Sequence, residues 1–160
     1  MKHWRAERFS ALADVLAAEH GATVVVTGSE SERDLVEEIV THGRVGHPYL
    51  IGAGLGELAA LLQRCALAIG VDSGIMHLAA ALGVPTVRLY GPVDPARFGP
   101  WGSPERHRVV RAELPCVPCN RLDFPQEELA LHPCVRAITV EAALEAARPF
   151  LLPTSVAGQP

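Results

Sequence analysis

Gly70-Val71-Asp72-Ser73-Gly74-Ile75-Met76-His77-Leu78-Ala79-Ala80-Ala81-Leu82-Gly83-Val84-Pro85 is the stretch on which the fold and the function of this 160-residue chain both turn. It reads as the end of a buried strand (Ala66 to Val71), a sharp polar turn, and a short helix (Ile75 to Leu82). The turn and the first helical residues carry an acid, a hydroxyl, a glycine and an imidazole. The first N–H groups of a helix lack intrahelical partners, and the helix dipole adds positive potential, so such a start suits an anion. Gly74 lets a ligand approach the backbone with no Cβ in the way. Ser73 and His77, four residues apart, face the same side of the helix. Phosphate is the expected guest. Asp and Ser are also favoured N-caps, so plain helix capping is the competing reading of Asp72 and Ser73.

Working outward, Phe9, Leu12 and Leu16 recur at helical spacing within residues 5–20, ahead of Gly21, a C-terminal stop. Thr23 to Thr27 is a β-branched run that predicts a strand buried on both faces. Ser29 is placed to cap a second helix striped by Leu35, Val36, Ile39 and Val40. His47 to Ile51 predicts a short strand, Gly52 to Gly56 a turn, and Glu57 to Arg64 a third helix. Pro85 to Tyr90 and Arg106 to Arg111 predict two further strands. Val140 to Leu151 predicts a closing helix with Ala142, Leu144, Ala147 and Leu151 apolar. Residues 152–160 read as a disordered tail. Strands alternating with helices imply one α/β domain over residues 1–151, with a parallel sheet and right-handed crossovers. Ligands of such sheets sit at the carboxyl ends of the strands, where Gly28, Gly54, Asp72 and Gly91 fall. There is no internal repeat and no low-complexity block.

Composition narrows the partners. Apolar residues make up 49% of the chain and aromatics 5%, as suits a core of Val, Leu, Ile and Ala. A net charge of −4 argues against a nucleic-acid surface, which needs clustered Lys and Arg. No apolar run approaches the roughly 20 residues of a membrane helix. The N-terminus lacks the apolar core of a signal peptide, so the expectation is a cytoplasmic protein with at most peripheral membrane contact. In that compartment the four cysteines are not by default a disulfide framework.

From Asp72 to Pro85 every fixed position of a D-[S/T]-G-x-x-H-L-A-A-A-x-G-x-P pattern is matched, followed by Val87-Arg88-Leu89-Tyr90-Gly91-Pro92-Val93-Asp94-Pro95 and Gly99-Pro100-Trp101-Gly102. Lys2-His3-Trp4-Arg5-Ala6-Glu7-Arg8-Phe9 fits K-x-W-x-x-E-x-F, and Val26-Thr27-Gly28 precedes acids at Glu30 and Glu32. Over residues 2–148 these motifs resemble glycosyltransferase family 9, the heptosyltransferases. The resemblance implies a Rossmann-like parallel sheet, the C-terminal, nucleotide-sugar-binding half of a GT-B glycosyltransferase. It further implies transfer of a heptose from an ADP-activated donor to a lipopolysaccharide core acceptor, without a metal or other cofactor. By that likeness the chain begins after the first strand and phosphate-side loop of the donor half. The acceptor half, which supplies the general base, lies elsewhere. The work would then be done in the cytoplasm, at the inner face of the bacterial inner membrane.

Carried onto this sequence, the family pattern gives Asp72 and His77 catalytic roles and makes Lys2, Glu32, Ser73, Gly74 and Gly91 donor-binding. Ser73 and Gly74 would touch the diphosphate, and His77 would donate to a phosphate or the leaving oxygen. Asp72 would fix sugar hydroxyls or orient a lysine, and Glu32 would accept from ribose hydroxyls. Each has a plainer reading beside it. Lys2 can be a solvated terminal lysine, Glu32 a first-turn acid favoured by the helix dipole, and Gly91 turn punctuation. Cys116, Cys119, His132 and Cys134 form a candidate zinc set, against which reduced thiols or a labile disulfide stand as the alternative. Trp4 and Trp101 can stack on adenine or pack as ordinary aromatics. The rival functions are a nucleotide or nucleotide-sugar binding module without turnover, another nucleotide-sugar enzyme such as an epimerase, and a zinc-stabilised interaction domain.

Overall fold

The computed structural model describes residues 4–151, apart from the side chains of Gln126, Leu129 and Ala130. Lys2 and the expected tail at 152–160 lie outside the described residues. The elements run α1 (Ala6–His20), β1 (Val26–Gly28), α2 (Arg33–His42), β2 (Tyr49–Ile51), α3 (Leu55–Leu62), β3 (Ala68–Val71), α4 (Gly74–Ala81), β4 (Thr86–Tyr90), α5 (Pro95–Phe98), β5 (His107–Arg111) and α6 (Val140–Ala147). Short 3₁₀ turns at Glu30–Glu32, Gln126–Leu131, Cys134–Ala137 and Arg148–Phe150 were not expected. The last replaces the end of the predicted closing helix, because Pro149 brings no N–H to continue it. Gly21, at φ 62°, ends α1 as its sequence predicts.

All strand pairs are parallel, but the sheet is divided. β1 pairs with β2, and β3, β4 and β5 form a separate three-stranded sheet. The Thr23–Thr27 expectation is corrected here. The strand is Val26–Gly28 and is half-buried rather than buried on both faces, because it has a neighbour on one side only. Val26 donates its N–H to the Pro48 carbonyl and Gly28 accepts from Gly52, so Thr27 faces the opposite edge. β4 is the central strand of its sheet and is buried throughout. Val87 and Leu89 join Trp4, Leu12, Leu16, Val135, Ile138, Ala143 and Ala147 in the main core, under α1 and α6. The buried α6 positions are Ala143 and Ala147, not the predicted Ala142. Thr86, Arg88 and Tyr90 therefore point to the other face, towards α4.

Asp14 ties α1 to the loop after α2. Its carboxylate accepts the N–H of Arg44 (2.9 Å) and of Val45 (3.3 Å) and lies 3.2 Å from His47 Nε2. Burial pushes this carboxyl up, but the Arg44 N–H, His47 and the Val45 N–H outweigh it and hold the group below its usual value. A depressed carboxylate contributes stability that is present above its unfolded pKa of about 3.9 and is lost as pH falls through the lower folded value. Asp14→Ala is expected to cost about 1.5–3 kcal/mol at neutral pH, the range for hydrogen bonds to a charged group. In denaturation series the gap between wild type and variant should narrow below about pH 4. A gap independent of pH would remove Asp14 from that role.

Candidate functional site

β3 delivers the chain to the start of α4, and the two are packed closely. A Cβ on Gly70 would sit 3.1 Å from Met76 Sδ. Ser73 is extended (φ −154°, ψ 163°) and its carbonyl accepts the N–H groups of Met76 and His77. Its side chain makes no capping hydrogen bond, so the capping reading does not hold for Ser73. Three other starts are closed by a side chain, Glu57 accepting the Gly54 N–H (2.8 Å), Asp94 that of Ala96 (2.9 Å) and Thr139 that of Ala142 (3.1 Å), whereas α1 and α2, like α4, have no side-chain cap. At Gly74 an added Cβ would meet nothing within 4 Å. The backbone of the first turn of α4 is therefore unobstructed at Gly74.

Four side chains gather at the mouth of α4. His77 Nε2 lies 3.6 Å from Asp72 Oδ1, with the imidazole 45% exposed and the carboxylate 12% exposed. Behind them lies Arg88, fully buried. Its Nη1 is 3.3 Å from His77 Nδ1 and its Nη2 donates to the Met76 carbonyl at 2.6 Å. Among the described residues its Nε–H has no hydrogen-bond partner. Tyr90 donates its hydroxyl to the Phe98 carbonyl (2.8 Å). Burial raises the phenol, while of the charges beside it Arg88 pulls it down and Asp72 pushes it up. His107, which shares a 3.0 Å hydrogen bond with Thr86, is lowered by burial and then by Arg88 and Arg106. The Arg88 charge thus acts along the whole buried face of β4. Sequence reasoning singled out Asp72, Ser73, Gly74 and His77 but missed Arg88 and Tyr90. The available signal was an arginine in the middle of a short strand between two crossover helices.

The other expected residues are dispersed. Glu32 stands beyond the end of β1, where its Oε2 accepts both the N–H (2.9 Å) and the hydroxyl (2.6 Å) of Ser29. α2 packs close here, since a Cβ on Gly28 would come within 2.6 Å of Val36 Cγ2. Glu30 is engaged by Arg33 at 2.6 Å. Gly91 is buried at the end of β4. The turn after it is held by Asn120, which donates its N–H to the Pro92 carbonyl (2.7 Å) and accepts from the Asp94 N–H (2.9 Å). Trp4 is core and Trp101 is 91% exposed.

Cys116, Cys119, His132 and Cys134 are not drawn into a zinc-like group. Among the described residues, the set of three or more such side chains with ligand atoms within 4.8 Å of one another is Glu7, Glu38 and His42, all exposed. The His132 ring instead lies against Phe124, with centroids 3.8 Å apart. All four cysteines are free thiols. Burial, and then the neighbouring Cys119 and Cys116, raise the Cys134 thiol. A surface groove of about 640 Å³ runs along β5 past Leu114, Pro115 and Val117 and includes none of the residues at the α4 mouth.

Residues 1–129 match the model of glycosyltransferase family 9 (heptosyltransferase). Lipopolysaccharide heptosyltransferase 1 of Pseudomonas aeruginosa is 32% identical over 120 residues, covering 74% of this chain and 32% of that protein. The crystal structure of a family 9 glycosyl transferase from Veillonella parvula superposes with a TM-score of 0.76 at 29% identity, over 94% of this chain and 42% of that one. The structure of the E. coli heptosyltransferase WaaC with ADP superposes with a TM-score of 0.72 at 25% identity, over 93% of this chain and 40% of that one. The chain spans less than half the length of each of these three relatives.

Proposed function

We propose, from the premise that this chain belongs to glycosyltransferase family 9, that it is the donor-binding half of an enzyme transferring a heptose from an ADP-activated donor to a lipopolysaccharide core acceptor. The observation that carries the reading is the open, uncapped start of α4, with Gly74 facing free space and Asp72 and His77 at its rim. As the glycosidic bond to the diphosphate breaks, negative charge builds on the leaving oxygen. Donors already aimed at that charge lower the barrier. In this reading the Gly74 N–H and the Ser73 hydroxyl hold the diphosphate, and the His77 Nε2–H meets the leaving oxygen. The Asp72 carboxylate holds sugar hydroxyls and orients the imidazole.

Glu32 and Gly91 are proposed to line the donor pocket, and Lys2 to contact phosphate, on the family pattern alone. The acceptor and the general base are assigned to a domain outside residues 1–160. The missing first strand of the donor half is assigned to the space between the β1–β2 and β3–β4–β5 sheets. That placement is supported by strand order, which corresponds to a doubly wound 3-2-1-4-5-6 sheet without its strand 1. Work at the cytoplasmic membrane face is proposed on the same resemblance, and no described helix is long and apolar enough to cross a membrane.

Calorimetric titration of the chain with ADP tests the reading. Binding is expected, and His77→Ala should weaken it by about 1–2 kcal/mol, the usual cost of a lost polar contact to a charged group. Absence of ADP binding, or an unchanged affinity in the variant, defeats the assignment. The alternative reading is a nucleotide-binding module without turnover. Binding of ADP-heptose with no product when an acceptor half is supplied would establish it.

A further inference from the structure

Arg88 has no place in the donor-site reading given above, yet it is the most heavily invested side chain near the site. A guanidinium with no exposure, on the central strand of its sheet, carries a desolvation cost that an apolar side chain of the same volume would avoid. Its Nε–H is left without a partner, so the residue is not placed for the best internal pairing. Its terminal nitrogens reach the first turn of α4, Nη2 at the Met76 carbonyl and Nη1 at His77 Nδ1, and the guanidinium also meets the Tyr90 hydroxyl.

Arginine has N–H donors and no acceptor. The imidazole nitrogen that faces it must therefore offer its lone pair, which puts the ring proton on Nε2. That nitrogen points to the Asp72 carboxylate at 3.6 Å, too far for a strong hydrogen bond. The Nε2–H is left available at the exposed rim. If the proton moved to Nδ1, a ring lone pair would instead confront an anionic phosphate oxygen.

We propose that Arg88 is a positioning residue for the transfer reaction. From beneath α4 it locks His77 into the Nε2–H tautomer and orientation that donate to the donor diphosphate. The inference rests on the donor-site reading of the α4 mouth. Nitrogen NMR of the imidazoles in the full chain reads the tautomer directly, independently of any activity. His77 is expected to carry its proton on Nε2 in the wild-type protein and to show a mixture of tautomers in Arg88→Met. ADP affinity in Arg88→Met should fall about tenfold, and Arg88→Lys, which keeps a donor but not the fork, should recover part of the loss.

Because Arg88 acts through His77, Arg88→Met should add little to the loss already present in His77→Ala. A general disturbance of the fold would add in full. A wild-type protein that binds ADP with the His77 proton on Nδ1 overturns the inference and leaves the donor site standing, as do additive losses in the double variant. A protein with the Nε2–H tautomer that binds no ADP overturns the donor site and the positioning role with it. Should Arg88→Met fail to fold, the wild-type tautomer and Arg88→Lys still decide the matter.

Discussion

Asp72→Asn, placed in a transferase completed with its acceptor half, is expected to lower kcat by at least 100-fold while the melting temperature stays within a few degrees. The substitution keeps size and shape and removes one charge. In the folded chain that charge is nearly enclosed, faces His77 Nε2, and influences Tyr90. In the donor-site reading it both holds sugar hydroxyls and steadies the imidazole that meets the leaving oxygen. A 100-fold loss corresponds to about 2.7 kcal/mol of transition-state stabilisation, the scale found when one preorganised polar group is removed. The loss should fall on kcat more than on the KM for donor, because the charges it answers grow during bond breaking. A variant working within a few-fold of wild type would strip Asp72 of the role.

Trp4→Ala should produce the largest stability loss of any single substitution considered, about 3–5 kcal/mol. For a chain of this length that corresponds to a fall in Tm of roughly 6–20 °C. The indole is 1% exposed and meets Phe9 edge-on at 4.9 Å. It also donates Nε1–H to the Ile138 carbonyl at 2.9 Å, joining the entry of α1 to the turn before α6. Arg8 donates to the same Ile138 carbonyl and to that of Arg136. Trp4→Phe therefore leaves Ile138 satisfied and should cost clearly less than the alanine variant. Equal losses in the two variants would show that the hydrogen bond rather than the buried volume is what Trp4 supplies. The tryptophan and phenylalanine of the K-x-W-x-x-E-x-F resemblance are thus core residues of this fold, and the adenine-stacking alternative for Trp4 is closed by its burial.

The parts of the fold legible in the sequence were those written in period and punctuation. The Asp72–Pro85 run, the stop at Gly21 and the helix of Leu35, Val36, Ile39 and Val40 all read correctly because each is local. The division of the sheet was not legible, since strand neighbours are a tertiary fact and a β-branched run looks the same beside one partner or two. α5 escaped notice because four residues, Pro95–Phe98, carry no periodicity, although Asp94 is a capping residue and Pro95 a favoured first helical residue.

At the site, residues presented by the α4 start were found because the chemistry of a helix N-terminus depends on adjacent positions. Arg88 was missed because its partners, Met76 and His77, are brought to it only by the packing of α4 on β4. The cysteine set is likewise a matter of tertiary placement: its spacing invites a metal, Cys116 and Cys119 stand near Cys134, and the His132 ring lies against Phe124.

The break between the two sheets carries a practical consequence for handling the protein. Thr27 on one side, and Ile69 and Val71 on the other, turn their main-chain amides and carbonyls away from their only sheet neighbours, and Val24-Val25 leads into the first of these rims. Adhesive borders of this kind recruit extended segments from any polypeptide nearby. In residues 1–160 taken alone that seam is where a foreign strand would pair first; in the enzyme proposed above it is where the first strand of the donor half would lie.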